Sequence, residues 1–120
     1  MTDSESDKIQ TDKVQIGTSE LAKSVMDDER LKDYFYEQRD MIKFAVALAL
    51  SKNLDPVYDD KTMTNSQATH GLDNDGSLAN LVRHYKVTAT PYRASEALAE
   101  AGFRYLDEEF KRGSLLDDFF

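Results

Sequence analysis

The chain has no cysteine, so neither a disulfide framework nor a thiolate metal site can form. Histidine is scarce, with His70 and His84 standing fourteen residues apart. Basic residues are in deficit. The 15 Lys and Arg against 23 Asp and Glu leave a formal charge of −8, which argues against broad affinity for a phosphate backbone but leaves room for a local basic face. An apolar run of about 18 residues is missing, as is a basic-then-apolar leader, so neither a membrane span nor a signal peptide is expected. A cytoplasmic location fits the lack of cysteine. There is no G-x-S-x-G, no Walker lysine and no H-E-x-x-H. Glu108-Glu109 and Asp117-Asp118 are adjacent acidic pairs; neighbours on a helix do not share a face, so Glu108 and Glu109 make a poor acid–base dyad, and solvation explains the pairs better. The reading is therefore non-enzymatic, with no cofactor and no catalytic residue. No internal repeat is present.

What is there suits one domain. A chain of 120 residues buries roughly two-thirds of its unfolded surface. Apolar residues make up 40% and concentrate between Tyr34 and Leu54. The acids are mainly aspartate, which fits solubility or a halophile's solvated surface, and nine lysines weigh against the second. Residues 1–17 are too polar to offset their ordering entropy and read as a disordered segment. Within them Lys13-Val14-Gln15-Ile16 alternates and can form a short edge strand.

Residues 18–112 read as a helical domain. Thr18 or Ser19 can cap a first helix carrying Leu21 and Val25, with Glu20 favourable in its first turn. Glu29 to Gln38 predicts a second short helix, and Asp40 can cap the next element. Met41 to Leu50 is apolar nearly all round, the pattern of a buried central helix. Its alanines and leucines favour helix over a buried strand. Pro56 ends it by disfavouring helical geometry at Asp55. Val57 to Gly76 reads as a long polar loop, functional or mobile. Ser77 caps a helix bearing Leu78, Leu81, Val82 and Tyr85. Thr90-Pro91 opens a long helix to about Arg112, which Gly113 ends. Gly102 within it costs about 1 kcal/mol against alanine unless another helix packs close there. The fold class is all-α: four or five helices in a compact bundle around Phe44–Leu50. That apolar girdle can exceed what the other helices cover, so a homo-oligomer is one expectation.

Three chemical readings compete with bland ones. Asp73-Asn74-Asp75-Gly76 looks like the middle of an EF-hand loop, but Gly71 and Val82 fall at positions one and twelve, where ligands are required. Turn chemistry feeding a helix cap explains it better. His70 with Asp59, Asp60 and Asp73 can be drawn as a metal site, yet no spacing demands it. Arg83, His84 and Lys86 surround Tyr85, with Arg93 further on. Such a basic spot can grip a phosphate and a base, so a small DNA-binding regulator using Arg83, Lys86 and Arg93 is the alternative function.

Residues 113–120 form an interaction tail, Gly113-Ser114-Leu115-Leu116-Asp117-Asp118-Phe119-Phe120. Exposed paired phenylalanines usually mark an interface. Each ring buried there contributes on the order of 1.5–3 kcal/mol before ordering costs. The rings can fold back on the protein's own core or insert into a partner. The tail resembles the sliding-clamp-interacting box of archaeal and eukaryotic replication and repair proteins. Leu116 stands at the aliphatic position, Phe119 and Phe120 at the aromatic ones, and Gly113 where the box has glutamine. The resemblance implies partner binding through Leu115, Leu116, Phe119 and Phe120. Tyr34-Phe35, Phe44 to Leu50, and Ala97-Leu98-Ala99-Glu100-Ala101-Gly102 are similar to small helical proteins associated with DNA phosphorothioation and phage-defence clusters, with Lys52-Asn53-Leu54 in place of their glycine-bearing turn. That resemblance implies an accessory subunit acting with DNA-processing or defence enzymes. The combined expectation is a non-catalytic adaptor in prokaryotic DNA metabolism or phage defence. It would dock by its helical body and by its aromatic tail, with a sliding clamp one possible partner.

Overall fold

The Ser19 hydroxyl accepts from the Ala22 amide at 3.1 Å and, with Glu20 in the first turn, starts helix α1, Glu20–Met26. A computed structural model describes residues 11–116. Asp28 caps α2, Glu29–Lys32, by accepting from the Arg30 amide. The longer helix expected over 29–38 stops there, and Phe35 turns instead to face Phe44, ring centroids 5.0 Å apart. Helix α3 covers Gln38–Ser51, starting ahead of the expected Asp40 cap. It ends where Asn53 takes a left-handed φ of 55° and the Leu54 amide donates to the Ala49 carbonyl. Asparagine here does the work usually given to glycine.

The polar stretch 57–76 is not a loop. A 3-10 turn, Asp60–Thr62, leads into strand β2, Thr64–Ala68, and a single helical turn α4, Thr69–Leu72. Strand β1, Gln15–Thr18, pairs antiparallel with β2, with an irregularity between Ile16 and Gly17. The alternation at Lys13–Ile16 thus reaches a strand partner about fifty residues away, and 15–17 belong to the fold rather than to a disordered arm. The all-α expectation holds coarsely: the molecule is mostly helical, with six α-helices among the described residues and one two-stranded sheet.

Helix α5 covers Ser77–Tyr85 and α6 covers Pro91–Lys111. Ser77 is not the cap of α5. Asp73 accepts from the Leu78 and Ala79 amides, and Asp75 accepts from Ser77. Thr90 makes no side-chain cap either. The Tyr92 and Arg93 amides of α6 are taken by Asp12, from the far end of the described chain. Pro91 sits at the helix start and Gly113, φ 90°, follows its end, as the sequence predicts.

The more enclosed helix is α6, not the Phe44–Leu50 segment. Every residue from Ala94 to Phe103 is buried. Helix α3 buries Met41, Ile42, Ala45, Val46, Leu48 and Ala49 but leaves Phe44 half-covered and Ala47 exposed. The two helices cross at Gly102, where a Cβ would overlap the Ala45 carbonyl. Among the described residues no helix is long and apolar enough to cross a membrane.

Candidate docking surface

Residues 40, 43, 44 and 47 of α3 fall on one stripe, since positions three and four apart are helix neighbours. On α5 the matching stripe is Ser77, Leu78 and Leu81. Both helices pack on α6 and touch each other little, so a groove remains between them. It is lined by Phe35, Phe44, Ala47, Leu78 and Leu81, with Asp40, Lys43 and Ser77 contributing the polar positions, and is an open depression of about 670 Å³. Ala47 leaves room because its side chain is a single methyl, and Leu81 is 36% exposed. Beside it, hydrogen bonds from Ser77, backbone first, and the charge of Lys43 hold the Asp75 carboxyl below its ordinary range.

The polar interior lies elsewhere. On α6, Glu96 and Glu100 are 4% and 2% exposed. Glu96 accepts from the Gly17 amide at 2.6 Å and pairs with Lys13 at 3.0 Å. Glu100 accepts from the Ser19 hydroxyl at 2.7 Å and from Arg104 at 2.8 Å. Each carboxylate is thus answered by groups brought from β1 and the residues just before it, the head of α1 or the next turn of α6. This clasp fixes the sheet on the central helix, with charge-assisted bonds worth ~1.5–3 kcal/mol each. It was not visible in the sequence because Lys13, Gly17 and Ser19 are 79 to 83 residues away from their carboxylates.

The residues singled out from the sequence are distributed as follows. Leu116 is buried at 1% while Leu115 is 57% exposed. Phe119 and Phe120 lie outside the described residues. Arg83 and Lys86 stand at the end of α5 and Arg93 in the first turn of α6, with the Asp12 and Asp73 carboxylates set among them on the Tyr92 and Arg93 groups. The basic spot is therefore interleaved with acids. His70 and His84 are both exposed. Asp73 is spent on the α5 amides and the Tyr92 hydroxyl, and among the described residues no three His, Asp or Glu gather as a metal site would need. Of the groove residues, Phe44 belongs to the apolar Met41–Leu50 run and Leu78 and Leu81 to the apolar stripe of the Ser77 helix, both core patterns in the sequence. The usable signal was an apolar run too complete for one buried face.

Comparison with family models, with curated proteins and with solved structures finds no match to this chain.

Proposed function

We propose that this chain is a non-catalytic adaptor that docks a protein partner through the α3/α5 groove. The observation that carries this is the groove itself: aromatic and aliphatic walls on two helices that share α6 as support, open to solvent along their length. A small ligand is normally held with most of its surface covered. An open trough between helices instead suits a segment presenting apolar side chains at helical or extended spacing. Lys43 and Asp40 beside it supply opposite charges that can set the orientation of such a segment. A place in DNA metabolism or phage defence is supported by the second sequence resemblance, and a sliding clamp as a further partner, reached through Leu115, Leu116, Phe119 and Phe120 rather than the groove, by the first.

Leu81→Asp and Ala47→Glu place a charge in the trough without touching the enclosed core. Tagged wild type and variants are compared by pull-down from native host lysate with mass spectrometry. Partners retained by wild type should be lost by both variants, with unfolding curves unchanged. Identical partner sets would end the proposal.

A further inference from the structure

We infer that a second copy of this chain occupies the α3/α5 groove, with its α3 antiparallel to the first across a two-fold axis, so that self-pairing and partner docking use one surface. This rests on reading the groove as a docking surface and names its occupant when no other partner holds it.

The charges along the groove are self-complementary. Asp40 and Lys43 stand three residues apart on the α3 stripe and both line the depression. Among the described residues neither makes a salt bridge, and Lys43 only lends its charge to Asp75. A two-fold interface uses one patch twice, so wherever residue i meets residue j of the other copy, j also meets i. An axis midway between Asp40 and Lys43 therefore forms two reciprocal pairs, Asp40 of each copy with Lys43 of the other. A parallel pairing instead sets Asp40 against Asp40 and Lys43 against Lys43, and like charges brought together carry a penalty. The charges select the antiparallel arrangement.

The shape follows the same axis. It brings Ala47, exposed and carrying a single methyl, level with Tyr36 of the other copy, which is 97% exposed just ahead of α3. Phe35 joins the two ends of this face. It lines the groove with Phe44, and it lines a second hollow with Met41 and Tyr36. The apolar surface thus runs on from Leu81 past Phe44 and Phe35 to Tyr36. In the pair, α3 of each copy rests between α3 and α5 of the other. Both grooves are filled at once, so association closes at a dimer.

The test follows self-association of the full chain by light scattering and sedimentation over a concentration series at physiological salt. The charge of −8 on each copy opposes pairing at low salt, and screening over about 8 Å relieves most of it at physiological ionic strength. Asp40→Lys sets lysine against lysine and Lys43→Asp sets aspartate against aspartate, so each variant alone should dimerise about tenfold more weakly. Mixed in equal amounts, the two variants should form a heterodimer of wild-type affinity, counted by native mass spectrometry. The double variant should recover pairing with itself. Ala47→Glu should leave a monomer, and Lys61→Asp, outside the groove, should change nothing. A monomer at every concentration overturns the inference. So does a dimer that the single charge variants leave intact, or one that mixing them does not restore. If Leu81→Asp loses lysate partners while the wild-type chain stays monomeric, the groove reading stands and the second copy falls. If self-pairing follows the charges while the groove variants keep every other lysate partner, the second copy stands and docking of other proteins in the groove falls.

Discussion

Tyr92 shows what a single residue ties together. Its hydroxyl donates to Asp73 at 2.7 Å, and the same carboxylate caps α5. Burial first, then the Asp73 bond, pushes the phenol up to about 12. The fold thus holds the phenolic proton more tightly than the unfolded chain, whose tyrosine titrates near pH ~10. The stability this supplies is fully present below pH ~10 and is lost as pH rises through the folded value of about 12. Tyr92→Phe should cost ~1–3 kcal/mol near neutral pH, as loss of a partly buried bond to a charged group does. In urea unfolding across the alkaline range, the gap between wild type and variant should close. A gap that stays constant up to pH ~12 would show that the hydroxyl is not protected in this way. The Asp-Asn-Asp-Gly turn feeding a helix was legible in the sequence, because its bonds are local. The Tyr92 contact was not, because nothing in the spacing of residues 73 and 92 marks them as neighbours.

At the scale of elements, the α3–α6 crossing decides the arrangement. A glycine in the interior of a helix costs ~1 kcal/mol against alanine, so Gly102→Ala should stabilise an isolated α6. In the protein the added methyl meets the Ala45 backbone, which cannot swing aside as a side-chain tip can. Overpacking of this kind costs ~1–3 kcal/mol, and a net fall in stability is expected by thermal or urea unfolding. A variant as stable as wild type would mean that the helices do not approach this closely. The sequence signalled this crossing, since a glycine inside a long helix needs a close neighbour. Helix ends bounded by Ser19, Pro91 and Gly113 were legible for the same local reasons. The second strand was not. Thr64–Ala68 is polar and carries no strong alternation, and its structure comes from pairing with β1 and from the Thr69 amide bonding to the Val14 carbonyl. Helix α2 fell short of its expected length because Phe35 leaves it to pack on Phe44.

For the whole molecule, the informative mismatch is between the most apolar helix and the most enclosed one. Composition points to Met41–Leu50 as the centre. The structure instead encloses α6, whose Glu96 and Glu100 are made tolerable by Lys13, Gly17, Ser19 and Arg104. Helix α3 is displaced to one side, and its surplus apolar stripe becomes a wall of the groove. Phe44 is left half-covered and Ala47 exposed, and the groove they line depends on packing that no local pattern encodes. The central claim is that this groove holds an apolar polypeptide segment. It is tested most directly by placing a photo-crosslinking side chain at position 81 in the full chain, with a second version at the exposed Tyr58 outside the groove as control, in native lysate. Abundant crosslinks from position 81 to an apolar segment of a partner are expected, and few from position 58. Equal, low crosslinking at both positions would contradict it.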